Sequence, residues 1–577
     1  MRGFGVLLAS IVVGIAAPAA SASDRALERY AEGTWASFVA MTDEDTGLPT
    51  DKLEADGTRS VQTSTTNIGA YMWSAVVAEE MGLIRRVELV SRMRATLRTL
   101  ERMERHGPSG QFYNWYDHTD GSKLTVWPPT GEPRTPILSS VDNGWLAVGL
   151  RVVADRVPDV SRRARALYAS MDFGFYYRPD DNRILFHYVP DTGVAACCYD
   201  TIVSESRIAS YIGIAKGEIP PRVHFGSFRS WPDTCEASWT ETEPTGFTRS
   251  YYGVPVYDGS LPYNGTLVTP GWGGSMFEAL MPALFLPEEK WGPGSWGANH
   301  RLTVAAQIHH GMTEAGYGYW GFSPSEVPEG GYRTYGVDGI GSDAGGYPSN
   351  NDGTTVDAGW LSCGRAPVDP PPPSAYTNGV VTPHAAFLGL RFARGEAVSN
   401  LARLERDFPD MYGPLGFRDS VNVDTGQVAS TYLSLDQGMI MAALGNELEH
   451  DMLRSAFAKR DMERALRPVM GVEEFSASPR PCTVVGTPGR DVLRGGPRDD
   501  VICGLGGLDE ISAGRGDDVL FGDEGDDRLD GGDGDDTLYG GEGGDRLVAG
   551  SGVDVVSGGP GVDTFRGSGR DHFEPGD

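Results

Sequence analysis

Two sets of residues in this 577-residue chain have types and spacings that could do chemistry. The first is a row of aspartates. From Gly486 onward an Asp recurs every nine residues: Asp491, Asp500, Asp509, Asp518, Asp527, Asp536, Asp545, Asp554 and Asp563. Two places after each Asp stands an apolar residue, from Leu493 and Ile502 through to Val556 and Phe565. A carboxylate is the hard, negative oxygen ligand that Ca²⁺ takes, and glycine permits the tight turn that brings backbone carbonyls to an ion. The second set is spread over the first 470 residues, where acidic side chains lie among aromatic ones: Trp115 and Asp117, Asp142, Glu205 with Arg207, Trp272, Trp320, Asp419 and Asp436. Aromatic faces stack on the C–H surfaces of sugars, and acidic and basic side chains bind hydroxyls. Two carboxylates can divide acid and base work at a glycosidic bond.

Pattern alone leaves a second reading open for the acidic residues. Asp142, Glu205 and Asp436 each stand at the start of an expected helix, where a carboxylate complements the helix dipole or caps free N–H groups. Other chemistries are missing from the sequence. There is no G-x-S-x-G elbow, no Walker loop and no H-E-x-x-H. A lyase would need a cationic cluster beside its base, and none is evident.

The elements that must position these residues are mostly helices. Apolar residues at i, i+3 and i+4 mark helices over Ile68–Val76, Val87–Leu100 and Ile208–Ala215. Similar patterns at 24–41, 143–157, 161–173, 275–285, 300–312, 383–390, 395–408 and 436–458 bring the expected total to about eleven. Gly-, Pro- and aromatic-rich loops separate them. Strand is expected to be minor, near Arg183–Tyr188. Ser342 to Ser374 reads as an insertion, and 471–485 as a linker.

The ends and the composition bound the setting. Residues 1–22 have the three parts of a secretory leader: Arg2, an apolar run from Val6 to Ala17, and Ala20-Ser21-Ala22. No later apolar run reaches ~18 residues, so no membrane span is expected. Formal charge is −30, which argues against a nucleic-acid partner. The segment from Gly486 to Asp577 holds 26 Gly, 22 acidic and 8 basic residues, so −14 of that charge sits there. Six cysteines fit an oxidising compartment. Cys482 and Cys503 bracket the start of the repeats and make a plausible disulfide. The neighbours Cys197 and Cys198 do not easily bridge each other, which points to Cys235 as a partner. The protein is expected to be secreted and monomeric.

The repeats resemble the RTX family of calcium-binding nonapeptides, G-G-x-G-x-D-x-U-x. The resemblance implies a small parallel β-roll over 486–577 with structural Ca²⁺ held by the nine aspartates, and folding coupled to the ion. Arg498 replaces glycine at the fourth place of the second unit and is expected to spoil that turn.

The larger part resembles the glucoamylase-like domain of glycoside hydrolase family 144. TSTTNIGAYMW from Thr63, FYNWYD from Phe112, SSVDNGWLA from Ser139 and SESRIASYIGIAKGEIP from Ser204 match its blocks in order. GWGGSMFEALMP from Gly271, GYWGFSPSE from Gly318, GPLGFRDSVN from Gly413 and LSLDQGMIMAAL from Leu433 continue the series. The resemblance implies a mainly α chain, an (α/α)6 toroid over 23–470, and endo-acting, inverting hydrolysis of β-1,2-linked glucan with proton transfer relayed through a substrate hydroxyl and water. It makes Glu205 the general acid and Asp436 the general base. Asp117, Asp142, Trp115, Arg207, Trp272, Trp320 and Asp419 become sugar-binding candidates. Trp145 and Met439 depart from the family's pattern. Two alternatives share the scaffold: a non-catalytic carbohydrate- or surface-binding protein, and a glucan transglycosylase.

Overall fold

A computed structural model describes residues 21–198, 201–231, 234–237, 242–342, 358–369, 372–476 and 482–574. The leader except its last two residues, most of the expected insertion and part of the expected linker lie outside these. Ser21 and Ala22 belong to the first helix: Ser21 caps it, in a reciprocal pair with Asp24.

Fourteen α-helices are found among the described residues. They are α1 (Ala22–Met41), α2 (Thr65–Glu80), α3 (Arg86–Leu100), α4 (Ser140–Arg156), α5 (Ser161–Ser170), α6 (Arg207–Ala215) and α7 (Met276–Leu280). Then follow α8 (Glu288–Trp291), α9 (Trp296–His309), α10 (Pro383–Leu388), α11 (Arg394–Asp407), α12 (Ser434–Leu448), α13 (Met452–Phe457) and α14 (Asp461–Gly471). Side-chain character sorts them into two rings. From Thr65 to Ala78 every residue of α2 is buried, as a helix apolar all round must be. By contrast α5 buries only Ala164 and Leu167, and α11 buries Ala397, Asn400, Leu401 and Leu404. The inner ring is α2, α4, α6, α7, α10 and α12, with α12 closing back on α2. Helices α1, α3, α5, α9 and α11 pack outside it. This is an (α/α)6 toroid with one irregularity. Between α6 and α7 the chain makes a 3-10 turn, Pro221–Gly226, and a three-stranded antiparallel sheet, Thr245–Tyr251, Val254–Tyr263 and Thr266–Val268, instead of an outer helix. That position over α6 is covered by α14, from the far end of the domain.

The repeats form a parallel two-sheet roll, of six strands on one face and five on the other. Ile502, Ile511, Leu520, Leu529, Leu538, Leu547 and Val556 line its thin core. The roll rests on α14. Arg467 donates to the backbone carbonyls of Val553 and Asp535. Val469, Val472 and Val555 share one apolar cluster with Phe225, Tyr251 and Val256. Tyr252 reaches His572 at 3.0 Å and Glu574 at 3.1 Å.

Three expectations about the covalent and secondary structure change. Cys482 pairs with Cys503 as expected, but Cys235 pairs with Cys363, and Cys197 with Cys198. The partner of Cys235 lies 128 residues away, a distance that sequence spacing does not encode. The span 436–458 is two helices, because His450 and Asp451 adopt positive φ. Val472 to Glu474, in the stretch read as a linker, is buried: Glu473 binds Arg229 and lies 2.9 Å from His224, and Glu474 binds Arg249.

Candidate active site

Three inner helices begin on a serine: Ser64 caps α2, Ser139 caps α4 and Ser275 caps α7. These caps fix the starts of helices around one mouth, and the acidic residues gather there. Close helix contact sets the spacing. A Cβ on Gly69 of α2 would lie 2.4 Å from the Trp145 carbonyl oxygen of α4, and one on Gly149 would lie 2.8 Å from Gly69 Cα. Glycine at both positions lets the two backbones touch.

Glu205 stands just before α6 and is 8% exposed. The indole N–H of Trp145 donates to its Oε2. Behind it lies Glu278, on the first turn of α7. Glu278 Oε2 accepts from Ser204 Oγ at 2.8 Å and from the Glu205 backbone N–H at 3.0 Å. Burial and the nearby Glu278 and Asp142 carboxylates raise Glu205 well above the ordinary range, against the indole bond that lowers it. Burial also raises Glu278, to about 7. The surroundings therefore bias Glu205 toward its protonated form.

Asp436 lies on the first turn of α12 and is 2% exposed. Its carboxyl interacts with the neighbouring Asp419 carboxyl, and its Oδ2 lies 3.1 Å from His384 Nδ1. Burial raises Asp436 to about 7 and Asp419 well above its usual range. The first turn of α2 stands between the two acidic groups. Thr66 donates to Asp142 at 2.6 Å, on the Glu205 side. Asn67 donates to Asp51 at 2.7 Å, and Asp51 acts electrostatically on Asp436.

Helix capping does not account for these carboxylates equally. At Asp142 the cap is Ser139, whose Oγ accepts the Asp142 backbone N–H at 3.2 Å, while the Asp142 carboxylate accepts from Thr66. Asp436 accepts no N–H or O–H donor on either oxygen, so it is not a cap.

The sugar-binding candidates divide. Trp115 is half-buried, packs edge-on to Trp127 at 5.1 Å, and Arg134 lies 4.6 Å over the Trp127 ring. Trp272 is half-buried, and its backbone N–H donates to the carbonyl of Val203, two residues before Glu205. Asp117 accepts from Thr119 N–H and Oγ1 at 2.8 and 2.7 Å, closing its own turn. Arg207 and Trp320 lie inside the fold. Arg207 places Nε and Nη2 on Glu288 at 2.7 and 2.8 Å and its remaining donors on backbone carbonyls, above the Trp296 ring. Trp320 is part of the toroid core. Sequence reasoning missed Glu278, Trp145, His384, Thr66 and Asp51, although their segments belong to the motif blocks or flank them.

In the roll, Asp518, Asp527, Asp536, Asp545 and their neighbours form two rows, one on each side. Each Oδ1 accepts the backbone N–H of the Asp one turn earlier, as Asp536 does from Asp518 at 2.9 Å. The Oδ2 atoms of Asp509, Asp518, Asp527, Asp536, Asp545, Asp554 and Asp563 are buried without a donor. A buried oxygen that lacks a donor fits a cation ligand. Asp491 and Asp500 differ: their Oδ2 atoms accept N–H groups of their own turns, from Thr487 and Gly496 at 2.7 Å. The unit carrying Arg498 is the one that holds Asp500.

Residues 204–461 match the Glycoamylase family model, described as "Putative glucoamylase". Residues 485–520, 504–538 and 539–569 match the RTX calcium-binding nonapeptide repeat. The chain is thus similar to a glucoamylase over 204–461 and to RTX repeats over 485–569. Residues 29–180 match a further model, for a protein of unknown function (DUF3131). The endo-β-1,2-glucanase from Chitinophaga pinensis, solved with sophorotriose and glucose, is 18% identical with a TM-score of 0.54, covering 77% of this chain and 97% of that one. The β-1,2-glucanase from Parabacteroides distasonis is 16% identical with a TM-score of 0.59, covering 78% and 61%. Both share the fold of the glucoamylase-like toroid. The cyclic β-(1,2)-glucan synthase NdvB of Rhizobium meliloti is 27% identical over 319 residues, 53% of this chain but only 9% of the synthase.

Proposed function

We propose that the protein is an extracellular glycoside hydrolase that cleaves β-glucan, with β-1,2-glucan as substrate, endo action and inversion. One observation carries this reading: at one mouth a buried carboxyl biased toward its protonated form, Glu205, accompanies a second buried carboxyl, Asp436, that caps nothing. Glu205 is the general acid. Its proton is favoured by burial and by Glu278, and the Trp145 indole stabilises the carboxylate left after transfer. Asp436 is the general base. Trp115 and Trp272 are sugar platforms, and Asp142 orients the group between Thr66 and Glu205. The fold neighbours include two β-1,2-glucanases, one solved with sophorotriose and glucose, which supports the linkage.

The roll is proposed to bind Ca²⁺ through the seven aspartates with donorless oxygens. The ion would neutralise two rows of like charge; the aspartates and the turn glycines provide the cradle. Calcium titration followed by circular dichroism tests this, and an unchanged β signal would remove it.

Products of β-1,2-glucan and other glucans, with the product anomer read by NMR, decide the activity. Glu205→Gln and Asp436→Asn are each expected to lose about 10²–10⁴-fold in kcat, the usual worth of a positioned acid or base. Hydrolysis by both variants at the wild-type rate would remove the assignment. An inert wild type that still binds oligosaccharide would favour the non-catalytic reading, and transfer products would favour the transglycosylase.

A further inference from the structure

Asp419 was expected to touch sugar. Its surroundings give it another task. The residue follows the strand Gly416–Phe417, and its side chain is buried against the first turn of α12. Its Oδ2 accepts the Glu326 backbone N–H at 2.5 Å, and its carbonyl accepts from Thr382 Oγ1 at 2.7 Å. Its Oδ1 has no N–H or O–H donor, and neither has either oxygen of Asp436, the buried carboxyl with which it interacts. Two ionised carboxylates are acceptors only, so a bond between them requires one proton.

The neighbours decide where that proton sits. Thr382 spends its hydroxyl hydrogen on the Asp419 carbonyl, so it accepts from His384 Nδ1 at 2.8 Å. The imidazole hydrogen is therefore on Nδ1, which also faces Asp436 Oδ2 at 3.1 Å, while the buried Nε2 is left with a lone pair. A neutral His384 lends Asp436 a dipole and no full charge. Asp51 acts on Asp436 from the segment before α2. Glu326, whose N–H holds Asp419, has its own carboxylate paired with Lys52 at 2.9 Å. The N–H from Glu326 fixes one oxygen of Asp419 and leaves the other for the shared hydrogen.

We infer that Asp419 is a positioning residue that holds a proton and donates it to Asp436, so that Asp436 is the carboxylate of a one-proton pair. The assignment rests on the proposed base role of Asp436 and gives it a mechanism. A pair holding two protons has no base. A pair holding one presents Asp436 ionised and aligned, in the manner of two carboxylates that cannot both ionise. Burial raises the titration of both carboxyls, which agrees with a proton retained by the pair.

The test compares Asp419→Asn with Asp419→Ala and Asp436→Asn. Asparagine keeps a neutral donor toward Asp436, so Asp419→Asn is expected to lose no more than about tenfold in kcat with KM within about threefold. Asp419→Ala is expected to lose at least about 100-fold in kcat. Loss in Asp419→Asn as deep as in Asp436→Asn, or a rise in KM alone, would overturn the inference and return Asp419 to sugar contact. A second readout needs no substrate. Infrared spectra of protein with ¹³C-labelled aspartate carboxyls should show a protonated C=O band persisting at neutral pH, lost in Asp419→Asn. An active wild type without that band sinks the proton pair and leaves the hydrolase reading intact. An inert wild type with the band sinks the hydrolase reading and leaves the pair.

Discussion

Glu205 is held between two influences of opposite sign, and each can be removed separately. Replacing Trp145 by Phe deletes the indole donor that stabilises the carboxylate, so the titration of Glu205 moves further up and the alkaline limb of kcat moves to higher pH. Replacing Glu278 by Gln removes a neighbouring charge that disfavours ionisation, so the same limb moves to lower pH. Shifts of the two variants in one direction, measured by kcat against pH, would contradict this account of the acid. Arg207 belongs to a different category. Both it and Glu288 are buried, with His300 at 3.1 Å and Tyr211 at 3.0 Å completing the group. Arg207→Met strands a buried carboxylate and is expected to cost about 3–5 kcal/mol in urea unfolding. At this scale the sequence revealed the residues with the right chemistry inside recognisable blocks. It did not reveal their partners, because Glu278 lies 73 residues from Glu205 and Thr66 lies 76 from Asp142. Nothing in local spacing links such pairs, which is also why Arg207 read as a site residue.

Helices α2 and α4 touch through glycines, and that contact sets where Trp145 can stand. Gly69→Ala would press a methyl group on the Trp145 carbonyl, costing about 1–3 kcal/mol by overpacking. It should also lower kcat, since the indole that serves Glu205 must shift; unfolding and rate measurements on the one variant report both effects. Periodicity made most helices legible, but the i, i+3, i+4 pattern read in α2 did not reveal that the helix is buried on every side. Two elements were hidden for identifiable reasons. Helix α14 carries Pro468 in its interior, which reads as a break. The break between α12 and α13 depends on positive φ at His450 and Asp451, with no glycine or proline there to mark it. The sheet from Thr245 to Val268 replaces an outer helix, so no helical period was present to find.

Across the whole molecule the buried acids set an unusual pH dependence. Asp258, Glu278 and Asp436 titrate at about 7 in the folded chain, against ordinary values near 4. The folded state therefore binds more protons than the unfolded one between those limits. Stability from these groups is complete below about pH 4 and is lost as pH rises to about 7. Asp536 and Asp545 of the roll are raised in the same sense, each to about 7, by burial and by other aspartates. Melting temperature in chelator is thus expected to fall from pH 5 to 7.5. Millimolar calcium should oppose that fall, because the ion takes the ionised carboxylates. A chelated protein that became more stable over this range would contradict the assignment. The acidic charge that first excluded nucleic acid is, on this view, partly uncharged in the folded protein without the ion.

The roll meets the toroid near its last turns, through Asp535, Val553, Val555 and His572, while its first turn is joined to the toroid by the covalent chain and closed by Cys482–Cys503. Each turn uses 18 residues, as the bond from Asp518 to Asp536 shows, and advances the solenoid by about 4.8 Å. The repeat count is therefore a ruler between two fixed points. Loss or duplication of a single nonapeptide would exchange the two sides of the roll and turn Val553 away from Arg467. A change of a whole turn would keep the facing but slide the register by one strand spacing. Repeat number in this chain is thus tied to the body it adjoins, and cannot drift freely as it can in an isolated solenoid.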